Sequence, residues 1–362
     1  MALKGVPDSK STVRVSRFNA GDLTAAGIVD GIYRPVVPGH ERLKGPVYAF
    51  LVEHGTRKLL FDLGTRKDVE NFAPAVAGLF ASGAFVLDGE RDIIDVLGEA
   101  GIPLESIESV VWSHAHFDHV GDMSKFPGST SLVVGGETDM STFPTNPNST
   151  LLESDFAGRE VTMIDFGATE LKFNDLRAVD YFGDGSLYLV DAPGHVAGHL
   201  VGLARVTPSP NPSFILLGGD SFHHAGQARP RPALQSAFPC PAHLLASATT
   251  HISTAHFFSP GSHDGHFDLP SRAAPLLSIS DAGSVVRFSA DPVQGAVTLE
   301  KIARWDADED VLVLVGHDAS VVSEDVLPYY PRALNGWKKA GWKQESVWRF
   351  LDVDGPAWVF GP

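Results

Sequence analysis

The sequence has little cysteine, few basic residues and no long apolar run, and each scarcity excludes a class of protein. Cys240 is the only cysteine, so no intramolecular disulfide can form, and we predict a cytoplasmic protein. The 28 Lys and Arg residues are outnumbered by 44 Asp and Glu residues, which gives a net charge of −16. Nucleic-acid-binding surfaces need clustered basic residues, so this charge argues against one. The first ten residues hold no apolar segment, and no run reaches the roughly 18 apolar residues of a membrane-spanning helix.

What remains is typical of a folded globular chain, with 43% apolar and 20% charged residues. Residues 1–45 contain several prolines and are expected to form an irregular N-terminal extension. Residues 46–362 are expected to form a single domain, with a loop insert around 226–273 that is rich in Pro, His and Ser and is either a long loop or partly helical. Helical patterns occur at 91–100 and 291–302. Strand-like runs dominate and are found at 47–52, 59–63, 109–112, 131–134, 160–164, 177–182, 186–190, 199–206, 213–217 and 311–315.

Three histidines and one aspartate follow the apolar run 109–112 within six residues: His114, His116, Asp118 and His119. Side chains alternate along an extended segment, so His114 and His116 share a face. Gly121 follows shortly, which places Asp118 and His119 on a turn where they can point to a second position nearby. Imidazoles and carboxylates are the ligands of zinc and similar ions. We interpret the stretch as a metal site rather than as a polar loop that happens to be rich in histidine.

Three further strand-like runs also end in ligand-type residues. His195 follows one of them within Asp-Ala-Pro-Gly-His, Asp220 follows the next, and His317 follows the last. Strand ends at one edge of a sheet are where binding sites are built. The four strand ends together therefore predict one shared site.

The H-x-H-x-D-H pattern and the order of these residues resemble the metallo-β-lactamase superfamily. The final Gly-His-Asp resembles its lactonase branch, which includes N-acyl homoserine lactonases, and the lactamases close to it. The resemblance implies an α/β fold of the αββα type, a four-layer sandwich of two facing sheets with helices outside. It also implies two divalent ions, with zinc as the expected metal. His114, His116 and His195 would hold the first ion, Asp118, His119 and His317 the second, and Asp220 would lie between them.

The resemblance extends to residues around the ligands. Asp62 matches an aspartate that supports the ligands in the family, although a plain turn after a strand explains it as well. His199 is expected to orient a ligand rather than to bind metal. His223 stands where the lactonases carry a substrate-contacting tyrosine, and a neutral imidazole there can donate a similar hydrogen bond. The alternative interpretation makes His223 and His224 a solvated pair on a loop.

The expected activity is hydrolysis of a small cyclic ester or amide, a lactone or lactam, by a hydroxide shared between the two metals. Asp118, Asp220 and His223 are the expected catalytic residues. Asp118 would orient the nucleophile, and His223 would polarise the substrate carbonyl. Covalent catalysis has no candidate, because Cys240 lies outside every motif and Ser221 has no defined base. The expected partner is a small molecule, with no nucleic acid and no membrane, and nothing indicates an oligomeric state.

Two alternatives remain open. Persulfide dioxygenases of the same superfamily hold one iron through residues that match His114, His116 and His195, but the presence of His119 and His317 favours two metals. A metal-binding module without catalysis would normally lack a ligand. The histidines of the insert are expected to be loop residues or part of a substrate lid. The tryptophans near the end of the sequence are expected to pack in the core and a lid rather than to form a platform for a ligand. These residues are His251, His256, His263 and His266, and Trp337, Trp342, Trp348 and Trp358.

Overall fold

The computed structural model describes residues 5–36, 42–244, 274–281, 288–352 and 355–357. In chain order its strands are β1 (Arg14–Ala26), β2 (Tyr33–Arg34), β3 (Arg42–His54), β4 (Arg57–Phe61), β5 (Phe85–Asp88), β6 (Ser109–Val111), β7 (Ser131–Gly135), β8 (Val161–Ile164), β9 (Lys172–Phe173), β10 (Leu176–Asp180), β11 (Leu187–Asp191), β12 (Leu200–Thr207), β13 (Ser213–Leu217), β14 (Ser278–Ile279) and β15 (Val311–Leu314). The α-helices are α1 (Pro74–Ala81), α2 (Ile93–Glu99), α3 (Phe117–Val120), α4 (Glu153–Phe156), α5 (Ala225–Ala228), α6 (Pro232–Ala237), α7 (Pro292–Asp306), α8 (Trp337–Ala340) and α9 (Trp342–Ser346).

Two large sheets face each other across an apolar core. The first has the strand order β5-β1-β3-β4-β6-β7-β8, and the second has the order β15-β13-β12-β11-β10-β9. Phe50 and Phe61 of the first sheet share one buried cluster with Leu189, Leu217 and Leu314 of the second. Burial of such large apolar side chains between two sheets is the main favourable term that holds the layers together.

Helices cover the outer faces of both sheets. Leu97 of α2 is buried against Leu60 on the outside of the first sheet. Ile302 and Trp305 of α7 are buried with Leu203 on the outside of the second sheet. The predicted αββα four-layer sandwich is therefore confirmed.

The interpretation of residues 1–45 as an irregular extension is wrong. β1 pairs with β3 from Arg14 opposite Glu53 to Ala26 opposite Arg42, with a register shift between Asn19 and Asp22. The expected domain boundary at residue 46 consequently cuts through a paired strand. The sequence does not show this strand clearly, because the polar residues Ser16 and Arg17 interrupt its apolar run. Both side chains are nevertheless buried.

The insert around 226–273 is partly helical where the structure describes it, as one of the two interpretations of its sequence allows. Its described part, up to residue 244, contains α6 and the end of α5. Residues 245–273, including the four insert histidines, lie outside the described residues, as does Trp358. Trp337 and Trp348 are buried, as expected for core packing. None of the helices among the described residues combines the length and the apolar character needed to cross a membrane.

Candidate metal centre

The ligand-type residues named from the sequence meet at one edge of the two sheets. β4 and β6 run parallel in the first sheet, and β13 and β15 run parallel in the second. β11 has the same direction as β13, because both are antiparallel to β12. The carboxyl ends of these strands therefore open toward the same edge, and the loops that follow them carry the ligand-type side chains.

The structure brings seven of these side chains into two adjoining groups. Within each group, the candidate ligand atoms all lie within 4.8 Å of one another. The first group contains His114, His116, His195 and Asp220, and the second contains Asp118, His119 and His317.

The spacing of the ring nitrogens fits metal coordination. His195 Nε2 lies 3.1 Å from His114 Nε2 and 3.0 Å from His116 Nδ1. His119 Nε2 lies 3.3 Å from His317 Nε2. Two nitrogens bound tetrahedrally to one zinc ion at 2.0–2.1 Å are themselves roughly 3.3 Å apart. The donor set and its spacing are thus those of a divalent-metal site.

Asp220 lies between the two groups, with one carboxylate oxygen directed toward each. Its Oδ2 is 3.4 Å from His195 Nε2 and 3.7 Å from His114 Nε2. Its Oδ1 is 3.1 Å from His119 Nε2 and 3.4 Å from His317 Nε2. Oδ1 is buried and has no hydrogen bond of adequate geometry among the described residues. A buried carboxylate oxygen is costly without a partner, and a bound cation would satisfy it.

Asp62 fixes the orientation of two histidines from beneath the site. Its carboxylate accepts hydrogen bonds from His119 Nδ1 at 2.9 Å and from Ser113 Oγ at 2.8 Å. Because the Ser113 hydroxyl donates to Asp62, its oxygen accepts from His114 Nδ1 at 3.0 Å. Both imidazoles are therefore protonated on Nδ1 and present Nε2 to the site.

Backbone carbonyls orient two further histidines in the same way. His317 Nδ1 donates to the carbonyl of Pro46 at 3.0 Å. His199 Nδ1 donates to the carbonyl of Ala192 at 2.9 Å, and its Nε2 accepts the backbone N–H of Asp220 at 3.1 Å. His199 thus contacts the backbone of Asp220 instead of joining a ligand group.

The pKa values of the histidines are shifted in opposite directions in the two groups. Burial holds the pKa of His114 and His195 well below the usual value and lowers the pKa of His116 to about 4. Burial acts in the same direction on His119 and His317, but there nearby carboxylates, above all Asp220, outweigh it. They raise the pKa of His119 well above its usual value and the pKa of His317 to about 10. The second group therefore lies in a strongly negative field that attracts cations.

His223 and His224 have different environments. His223 Nε2 is 3.1 Å from Asp220 Oδ2, and its ring stacks on that of His317 with 5.8 Å between centroids. His224 is buried away from the site, where its Nδ1 accepts the backbone N–H of Gly226 at 2.9 Å and caps α5. The interpretation of this pair as solvated is therefore wrong for His224.

A cavity of about 200 Å³ opens beside the two ligand groups. Thr150 and site residues such as His116, Asp118 and His223 give it a polar end. Its apolar wall consists of Leu23, Ala25, Ile32, Leu43, Val76, Leu79, Phe85, Phe117 and Phe288. This wall was not predictable from the sequence, because its members come from distant segments and carry no motif.

The comparisons with known proteins agree with this geometry. A family model described as the metallo-beta-lactamase superfamily matches residues 42–249. The chain belongs to the metallo-β-lactamase superfamily. A solved structure with this fold is a mutant of AiiA from B. thuringiensis with N-decanoyl-L-homoserine bound at its active site. It has a TM-score of 0.55 and 15% identity, and the match covers 89% of this chain and 99% of that one.

Curated relatives show higher sequence identity. Metallo-hydrolase mfmC of Annulohypoxylon moriforme is 38% identical, over 98% of this chain and 90% of the relative. Gamma-lactamase FDB1 of Fusarium pseudograminearum (strain CS3096) is 32% identical, over 95% of this chain and 83% of the relative. The chain spans only 38% of the length of the relatives named cytochrome P450 monooxygenase mpaDE.

Proposed function

We propose that the protein is a dinuclear, zinc-dependent hydrolase that opens a small cyclic ester or cyclic amide. The observation that carries this proposal is the position of Asp220, whose two oxygens face two separate groups of ligand atoms. Relatives named metallo-hydrolase and gamma-lactamase, each matched over most of its length, support the same reaction type.

Each group would hold one ion, and Asp220 would supply negative charge between them. Two bound dications would provide a water molecule of lowered pKa and would polarise the substrate carbonyl. The first ion would be held by His114, His116 and His195, and the second by Asp118, His119 and His317.

Asp118 is suited to hold and move a proton. Burial opposes its ionisation, but the neighbouring His119 and His317 outweigh burial and lower the pKa of its carboxyl. Its Oδ2 lies 3.3 Å from His317 Nε2, and the side chain borders the cavity. The ionised carboxylate would take a proton from the attacking water through a hydrogen bond and pass that proton to the leaving oxygen or nitrogen.

His223 would donate a hydrogen bond to the carbonyl oxygen of the substrate. Its side chain is 13% exposed and borders the cavity, and its backbone N–H donates to Gln227 Oε1 at 2.8 Å. This anchor holds the loop residue close to Asp220.

The cavity indicates a small, neutral, apolar substrate. Leu79, Phe85 and Phe288 belong to a wall in which the described residues outside the ligand groups carry no charged side chain. An apolar cavity of roughly 150 Å³ can hold benzene, so a volume of about 200 Å³ suits one ring fused to a lactone or lactam. A charged substituent would lose its hydration against this wall without gaining a partner.

The test is ring opening measured by mass spectrometry as the gain of one water. The panel would contain acyl homoserine lactones, aliphatic lactones, fused aromatic lactams, cyclic carbamates and a β-lactam, and metal content would be measured on the same samples. His116→Ala should abolish turnover. His54→Ala is the control, since this partly exposed histidine pairs with Asp184 away from the site and its loss should leave turnover unchanged.

Three outcomes would contradict the proposal. One iron per chain with oxygen consumption on a persulfide would identify a dioxygenase. Metal binding without turnover of any compound would favour a non-catalytic module. Unchanged turnover in His116→Ala would show that the ligand groups do not carry the reaction.

A further inference from the structure

A side-chain hydrogen bond from α7 holds the loop that carries His195. The hydroxyl of Thr298 donates to the carbonyl of Pro193 at 2.6 Å, two residues before His195. The same hydroxyl oxygen accepts a hydrogen bond from Gln294 Nε2 at 3.3 Å. Thr298 is buried at 3% exposure, so water does not replace this contact readily.

The residues that lead into α7 hold the next two carbonyls of the loop. The carbonyl of Gly194 accepts from the backbone N–H of Asp291 at 2.9 Å and from Ser289 Oγ at 3.1 Å. The carbonyl of His195 accepts from the backbone N–H of Ala290 at 2.6 Å. Three consecutive carbonyls, at positions 193–195, are therefore tied to one segment.

These hydrogen bonds to the carbonyls at positions 193–195 act on the first ligand group. In the second group, Asp62 orients His119 and the Pro46 carbonyl orients His317, and neither contact involves α7. A change at Thr298 therefore acts on His195 without acting directly on the second group.

We propose that Thr298, assisted by Ser289, is a positioning residue that sets the metal affinity of the group containing His195. The inference rests on the proposed metal-binding function. The physical reason is that Pro193 and Gly194 leave His195 on a short loop whose backbone position fixes where its Nε2 points. Removing the hydroxyl leaves a buried carbonyl without its donor, and the loop must move to find another.

The test is titration of metal-free protein with Co²⁺, followed by the visible absorption of the bound ion. His195→Ala identifies the binding step that belongs to the first group, because that step should disappear. Thr298→Val keeps the side-chain volume and should weaken this step about tenfold, as loss of an orienting contact typically does. The step of the second group should stay within about twofold of the wild type, and Thr298→Ser should restore the first step.

Thr130→Val is the matched control. Thr130 is also buried, and its hydroxyl also donates to a carbonyl, that of Ile107 at 2.8 Å, at the amino ends of β6 and β7, away from the site. It should lower thermal stability as Thr298→Val does but leave both Co²⁺ steps unchanged. Equal weakening of the first step in both variants, or an unchanged first step in Thr298→Val, would overturn the inference. If wild-type protein binds a single Co²⁺ and His195→Ala loses it, the dinuclear function is contradicted. The comparison of Thr298→Val with Thr130→Val would still test the role of Thr298.

Discussion

Asp62 is the residue on which most orienting contacts of the candidate metal centre converge. Its carboxylate accepts from His119 Nδ1, from Ser113 Oγ and from the backbone N–H of Ser113, the last at 2.6 Å. The residue also has a left-handed backbone, with φ of 61°. Asn tolerates this conformation about as well as Asp, so an Asn substitution changes the chemistry without adding much backbone strain.

We expect Asp62→Asn to lower the metal affinity of the second ligand group by 10–100-fold. The amide replaces one acceptor oxygen with a donor, which then faces the N–H of His119 or the hydroxyl of Ser113. Metal analysis after dialysis against a chelator buffer measures the effect. Asp165→Asn is the control, because Asp165 caps a turn through Gly167 and should leave metal content unchanged. Equal metal retention in both variants would contradict the expected orienting role.

Asp155 should make the free energy of unfolding depend on pH. Burial raises the pKa of its carboxyl to about 6, although Oδ2 accepts the backbone N–H of Leu152 at 2.8 Å. Between pH 4 and 6 the folded protein therefore retains a proton that the unfolded chain has released. The contribution of Asp155 to stability falls as pH rises through this window and is fully lost above pH 6.

Asp155→Asn does not titrate, so its free energy of unfolding should rise relative to wild type with increasing pH. The relative gain should be about 2–3 kcal/mol between pH 4 and pH 7. Urea unfolding of both proteins at the two pH values measures it, and other titrating groups cancel in the difference. A difference that does not change with pH would show that the carboxyl titrates normally.

At the scale of elements, the loop between β11 and β12 and the start of α7 form one packed unit. Gly194 has φ of 129°, and a Cβ placed on it would overlap the backbone of Gly295 in α7. This close approach lets the residues before α7 donate to the carbonyls of Gly194 and His195. The unit positions the candidate ligand His195 by packing its loop against α7 rather than by placing it on a rigid strand.

Gly194→Ala should therefore cost about 3 kcal/mol or more in stability and lower the metal content of the first group. Gly183→Ala is the matched control, since Gly183 also has a positive φ, of 75°, but no described atom lies within 4 Å of its added Cβ. The control should show only backbone strain, about 1–2 kcal/mol, with full metal content. Chemical unfolding and metal analysis distinguish the two effects. Similar losses in both variants would mean that contact with α7 contributes nothing.

At the scale of the whole molecule, a buried ion pair joins three distant segments. Arg229, at the end of α5, donates to Asp306 at the end of α7 through Nε at 2.8 Å and Nη2 at 2.9 Å. Its Nη1 donates to the carbonyl of Val347 at 3.0 Å, near the end of the chain. The side chains of Arg229 and Asp306 are almost inaccessible to solvent, so neither charge can be hydrated if the other is removed.

Arg229→Met should lower the free energy of unfolding by about 3–5 kcal/mol, because it leaves the Asp306 carboxylate buried and unpaired. The double variant Arg229→Met, Asp306→Leu should recover much of this loss, since no buried charge then remains. Arg91→Met is the control, because Arg91 pairs with Glu99 at the surface and should change stability by under about 1 kcal/mol. A double variant no more stable than the single one would show that the loss reflects packing rather than charge.

The sequence by itself determined the local features of this protein. The strand predicted at 213–217 agrees with β13, and the helix predicted at 91–100 contains α2, whose N-terminus is capped by Asp92. The ligand-type residues were also recognisable, because strand ends and the H-x-H-x-D-H spacing are properties of adjacent residues. Such features depend on alternation, capping and turn chemistry, which short segments carry on their own.

Only the tertiary structure decided how distant segments combine. It placed the polar-interrupted β1 inside a sheet, and it directed His223 toward Asp220 while using His224 to cap a helix. It also assembled the apolar cavity wall and brought Thr298 to a loop about a hundred residues earlier in the sequence. These contacts join residues with no local pattern in common, so they follow from the packing of the two sheets and their helices and not from any one stretch of sequence.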